Sequence, residues 1–161
     1  VLLFSPDGSK VATTTSNPFA NKFYARIWDV TNGAELQRLN HEAPVGSIDF
    51  QQEGNKIVTE CSSTALIWDV ATGAELKMLD HSSPVQFVSF SRDGSKLATT
   101  SYWNDTVRIW DATTGAEIQK LPQKSDHLSN PSPTSILFSR DGSKMAVSVS
   151  DETVRIWDIT A

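Results

Sequence analysis

RIWDATTGAEIQKL, residues 108–121, decides how this chain is read, because it occurs again and again. It returns as RIWDVTNGAELQRL at 26–39 and LIWDVATGAELKML at 66–79, and RIWDITA stands at 155–161. A second phrase keeps step with it: FSPDGSK at 4–10, FQQEGNK at 50–56, and FSRDGSK at both 90–96 and 138–144. Trp28 and Trp68 are 40 residues apart, Trp68 and Trp110 are 42 apart, and Trp110 and Trp157 are 47 apart. A period of about 40 residues with local insertions marks an array of one supersecondary unit.

Each unit reads as short strands separated by turn chemistry. VQFVSF (85–90) alternates β-branched and aromatic residues with smaller ones, as a half-buried strand does. SRDG follows, with an Asp that bonds its own backbone and a Gly for a left-handed turn position. KLATTS (96–101), TVRIWD (106–111) and AEIQKL (116–121) supply three more strands, the last after the glycine-closed turn ATTG. Helical periodicity is absent. The expected fold is all-β, built of four-stranded antiparallel meanders.

These residues resemble the WD-repeat of β-propellers: His, then Val-x-x-Val-x-Phe-Ser-x-Asp-Gly, a strand, Val-Arg-Ile-Trp-Asp and Thr-Gly. The resemblance covers essentially the whole chain, in a bacterial-looking style, and implies blades set radially around a channel. It places four blades at about 1–39, 45–79, 85–121 and 133–161, the last without its outer strand. It also implies a hydrogen-bonded network in each blade of His, Ser or Thr, Asp and Trp. His41, Thr59 and Trp68 fit blade two, where Ser62 stands in the Asp position. His81, Thr99 and Trp110 fit blade three, with Asn104 or Asp105 nearby. His127, Asp151 and Trp157 fit blade four, where Val147 replaces the hydroxyl. The usual Gly before His is replaced by Asn40, Asp80 and Asp126. With no copy complete, soft blades are expected. Trp28, Trp68, Trp110 and Trp157 are expected in the core, since each recurs in register within a strand.

In a meander, successive turns alternate between the two ends of the sheet. One end carries nearly identical turns. The other carries every insertion: SNPFANKF (16–23), SYWND (101–105) and the blade link PQKSDHLSNPSP (122–133). Variation confined to one end is the pattern of a binding face on a rigid scaffold. Phe19, Phe23, Tyr102, Trp103 and Leu128 are the apolar candidates there for holding a partner. Trp103 has two readings, an interface anchor or a plug for its own loop.

Other chemistry is weakly represented. Ser, His and Asp recur in every blade, whereas catalysis needs one activated nucleophile in one cleft, so no catalytic residue is assigned. His41, His81 and His127 lack the close spacing of a metal site, and no metal or cofactor is expected. Asp7, Glu53, Asp93 and Asp141 read as turn residues before an acidic ring, and Lys10, Lys56, Lys96 and Lys144 as a solvated face before a basic one. No glycine-rich phosphate loop occurs. Cys61, the one cysteine, reads as a small apolar strand residue.

Bulk properties bound the partners. With 161 residues, 39% hydrophobic and 20% charged, the composition is that of an ordinary globular protein. A net charge of −5 argues against nucleic acid held through phosphates. No apolar run is long enough to span a bilayer and no signal peptide is read, so a membrane partner is not expected and a cytoplasmic location is. The sequence starts at Val1 without an initiator methionine. It is expected to be a piece of a longer repeat protein or, alternatively, one of two copies that complete a ring. The functional expectation is a non-catalytic scaffold or signalling-protein sensor that binds a protein or peptide partner. The alternative is the propeller part of an enzyme or multidomain signalling protein whose catalytic residues lie elsewhere.

Overall fold

The computed structural model describes residues 1–17, 22–102, 106–122 and 132–160. Phe19, Trp103, Asn104, Asp105, Asp126, His127 and Leu128 lie outside the described residues. Within them the secondary structure is all strand, in four antiparallel sheets. Blade one contains β1 (Leu2–Phe4), β2 (Lys10–Asn17), β3 (Lys22–Asp29) and β4 (Glu35–His41). Blade two contains β5 (Val45–Phe50), β6 (Lys56–Cys61), β7 (Thr64–Asp69) and β8 (Glu75–Asp80). Blade three contains β9 (Val85–Phe90), β10 (Lys96–Ser101), β11 (Thr106–Asp111) and β12 (Glu117–Pro122). Blade four has three strands, β13 (Pro133–Phe138), β14 (Lys144–Val149) and β15 (Val154–Asp158). In every sheet the spatial order follows the chain order.

The turns at one end largely share one chemistry, although blade two places Gln51 and Glu53 where the other blades have Ser and Asp. In the first-to-second turns, Asp93 accepts the hydroxyls of Ser91 (2.6 Å) and Ser95 (2.7 Å), and Asp141 those of Ser139 (2.6 Å) and Ser143 (2.9 Å). These bonds hold both carboxyls at about 2. In the third-to-fourth turns the Asp of the Trp-Asp pair caps the backbone: Asp69 accepts Thr72 N–H at 2.8 Å, and Asp111 accepts Thr114 N–H at 2.7 Å. Gly73 and Gly115 then close the turns at φ +70° and +78°, a region an L side chain resists.

Blades pack in series through alternating strand faces. Ala12, Ala25, Ile27 and Leu39 of blade one meet Ile48, Phe50, Ile57, Leu66, Trp68 and Val70 of blade two. The same register supplies the next two interfaces, with Val58, Ala65, Ile67 and Leu79 in one and Ala98, Val107, Ile109 and Leu121 in the other. Two faces stay open. Ile156 occupies the position of Ile27, Ile67 and Ile109, yet is 67% exposed where Ile67 is fully buried. Val154 and Leu137 join it on blade four, and Leu2, Phe4 and Val30 form the open face of blade one. The tryptophans follow this gradient. Trp68 and Trp110 are buried between blades, whereas Trp28 and Trp157 are half-buried. The core expectation is thus corrected for these two, which belong to the outer blades of the arc.

A second correction concerns the 16–23 insertion. β2 and β3 run to eight residues each and stay in register from Lys10↔Asp29 to Asn17↔Lys22, so the extra residues lengthen a hairpin. Phe23 therefore lies in β3 and is buried, and it is not an exposed loop aromatic.

Candidate functional site

Blades two and three each hold a Thr–Trp pair that is joined by a histidine from the end of the preceding blade's outer strand or just beyond it. Thr59 and Thr99 project from the second strand into the interface and are almost fully buried. The indole N–H of Trp68 donates to Thr59 Oγ1 (2.8 Å), and that of Trp110 donates to Thr99 Oγ1 (2.9 Å). His41 Nε2 lies 2.8 Å from Thr59 Oγ1, and His81 Nε2 lies 2.7 Å from Thr99 Oγ1. The other ring nitrogens face the carbonyl oxygens of Leu39 (2.9 Å) and Leu79 (3.0 Å). A carbonyl only accepts, so Nδ1 carries the proton in both rings. Nε2 then accepts from the threonine hydroxyl. Burial lowers both histidines, His81 to about 4, which keeps the rings neutral.

The outer blades hold only parts of this arrangement. In blade one Trp28 donates to Thr13 Oγ1 at 2.9 Å. In blade four Val147 offers no acceptor, and Asp151 is held instead by Thr153 N–H (3.0 Å) and Arg155 (3.3 Å) at the β14–β15 turn. Among the described residues, His41 and His81 each engage both ring nitrogens, so neither stands as a free base beside Thr59 or Thr99.

The first two strands of blade two carry two acids that the repeat pattern does not announce, Glu60 buried and Asp49 half-buried. β5 shifts register between Val45 and Ile48, which turns backbone N–H groups away from the ladder. Glu60 Oε2 accepts Gly46 N–H there at 3.0 Å, and a Cβ on Gly46 would lie 2.7 Å from that oxygen. Blade three fills the corresponding place with Thr100, whose Oγ1 accepts Phe87 N–H at 3.2 Å. Burial raises Glu60 to about 7. Asp49, raised to about 6 by burial, accepts Phe90 N–H at 2.7 Å across to the next blade. Ser47 accepts Val88 N–H in the same manner at 3.3 Å. These single-copy residues cap exposed edges of inner strands, a role legible only once the bulges are seen.

Two concave places open on this framework. A cleft of ≈ 410 Å³ lies where the inner strands end on the uniform side, beside Asp49, Ser89, Arg92, Leu137 and Arg140. A groove of ≈ 530 Å³ lies between blades one and two, lined by His41, Glu42, Cys61, Leu66, Glu75 and Met78 among others. Cys61 is buried and donates to the Ala43 carbonyl at 3.4 Å, and burial raises its thiol. On the variable end Tyr102 is 43% exposed, its backbone tied to the Pro84 carbonyl at 3.0 Å. Among the described residues no group of three His, Cys, Asp or Glu is placed to hold a metal ion. Among the same residues no helix is long and apolar enough to cross a membrane.

Comparison with known proteins agrees with this geometry. The family model for the WD domain, G-beta repeat, matches residues 73–111 and 119–158. Each span takes in an outer strand, β8 or most of β12, and the three inner strands of the following blade, so a sequence repeat bridges two blades. No curated protein matches the chain. Domains of this kind are generally non-catalytic and generally mediate protein–protein interaction. The matched repeats and four consecutive antiparallel sheets make this chain a member of the WD-repeat family, built of β-propeller blades.

Proposed function

We propose that this chain is a non-catalytic docking segment that holds a protein or peptide partner at the end of its blades where turns differ. The observation that carries it is the contrast between the two ends. One end repeats the Asp-capped turns described above. The other has an extended hairpin in blade one, a two-residue turn in blade two with Ser62 at φ +56°, and exposed Tyr102 in blade three. Tyr102 follows the end of β10, and an exposed tyrosine with few rotatable bonds is an efficient interface anchor, because little entropy is lost when it is covered. The open faces of blades one and four are assigned to further blades of a longer chain or to a second copy.

A photo-crosslinking residue placed at Tyr102, and separately at Thr113 at the opposite end of blade three, tests this reading in the native cell. Discrete protein adducts from Tyr102 and none from Thr113 are expected. Equal labelling from both, or none from Tyr102, overturns it.

A further inference from the structure

The blades differ at one place that the hydrogen-bond networks leave untouched. In blades one, three and four the residue two before the Trp is Arg26, Arg108 or Arg155. In blade three Arg108 lies over the Trp110 ring (5.8 Å) and meets Glu117 at 3.1 Å. In blade one Arg26 lies over Trp28 (5.7 Å) and within 3.6 Å of Glu35. Glu35 and Glu117 stand opposite the Trp in the ladder, and Glu75 holds the same register opposite Trp68. Blade two therefore keeps the acid and has lost the base, because Leu66 replaces the arginine.

Two neighbouring changes accompany that one. Opposite Arg26 and Arg108 stand Arg38 and Lys120, but opposite Leu66 stands Met78, which is 54% exposed. Arg155 is held by Asp151 four residues earlier, and four residues before Leu66 stands Ser62. The result is the groove between blades one and two. Its floor is Leu66 and Met78, its rim carries Glu42 and Glu75, and no Lys or Arg lines it.

We infer that this groove seats an arginine side chain supplied by a partner peptide. Blades one and three show what completes such a place: an aliphatic stem along the strand face and a guanidinium directed to the glutamate. Leu66 and Met78 offer apolar contact for the stem, and Glu75 accepts the planar head in two hydrogen bonds. The inference deepens the docking reading and rests on it, by naming the chemistry of one contact.

The chain has two methionines, Met78 in the groove and Met145 fully buried in the core, so methyl NMR of the 161-residue chain carries its own control. The probe is a capped pentapeptide with a central arginine, compared at millimolar concentration with its citrulline counterpart, which keeps the shape and removes the charge. The arginine peptide is expected to move the Met78 methyl and not that of Met145, and the citrulline peptide to bind about tenfold or more weakly. Glu75→Gln is expected to bring the arginine peptide down to the citrulline level, and Leu66→Arg to abolish binding by filling the seat from within. An unmoved Met78, equal binding of both peptides, or unaltered binding by Glu75→Gln overturns the inference. Glu75 is exposed, so its variant serves even if Leu66→Arg fails to fold. A silent groove with intact Tyr102 crosslinks removes this contact alone. Lost crosslinks with peptide binding preserved remove the wider reading instead.

Discussion

Thr99 Oγ1 stands 2.7 Å from His81 Nε2 and serves as the one hydroxyl through which that ring is fixed. The same oxygen receives the Trp110 indole N–H, so one buried atom satisfies two aromatic groups. The rings meet edge to face with centroids 5.1 Å apart. Replacing that hydroxyl leaves a buried donor and a buried acceptor without partners. Thr99→Val is therefore expected to cost about 2–4 kcal/mol in chemical denaturation. Thr13→Val in blade one, beside half-exposed Trp28 and with a single bond to lose, is expected to cost about 1 kcal/mol. Equal costs at the two positions contradict this account.

Glu60 predicts a pH dependence of opposite sign to that of the histidines. Its folded-state value is raised from 4.5 to about 7, so the folded protein holds the proton more tightly than the unfolded chain. The ionised carboxylate is a full penalty above pH 7 that vanishes as pH falls to 4.5. His81 is lowered from 6.5 to about 4 and its contribution to stability is lost on acidification through that interval. Glu60→Gln is expected to stabilise the protein by a few kcal/mol at pH 8 and to make no difference at pH 4.5. Urea midpoints at the two pH values measure it, and a gap independent of pH refutes it.

Ile67 and Ile156 occupy one register position with opposite surroundings. Ile67→Lys buries a charge in the interface between blades two and three and is expected to unfold the chain. Ile156→Lys, on the open face of blade four, is expected to change stability by less than about 1 kcal/mol. It is also expected to reduce self-association in sedimentation experiments. Comparable unfolding by both substitutions contradicts an open fourth-blade face.

Leu66→Arg restores the residue found in the other three blades beside an acid already in place. It is expected to cost about 1–3 kcal/mol in thermal stability, because Leu66 leaves the core between blades one and two and the partly exposed ion pair gained contributes little. A larger loss shows that the blade-two groove cannot receive a guanidinium at all.

The blades were legible because strand and turn signals repeat, and repetition averages out the weakness of each. The His, Thr and Trp of blades two and three were named through the resemblance to the WD-repeat, and the bonds among them are visible only in the structure. Single-copy residues escaped. Phe23 read as a loop aromatic because an insertion between strands looks the same whether it bulges out or lengthens a hairpin, and only pairing with His41 distinguishes them. Glu60 and Asp49 sit among strand residues, and their use depends on a bulge in one strand and an unpaired edge in the next blade. The groove was hidden by its own motif, since LIWD differs from RIWD by one residue. The consequence appears only when Glu75 and Met78 are placed beside it.

The central claim is that a partner is held at the variable end. Its most direct measurement is the affinity of the protein captured at Tyr102 for two variants of blade three, Tyr102→Ala and Thr113→Ala. Tyr102→Ala is expected to weaken binding about tenfold or more, with folding unchanged, and Thr113→Ala to leave it as it was. Undiminished binding by Tyr102→Ala, or a loss confined to Thr113→Ala, contradicts it.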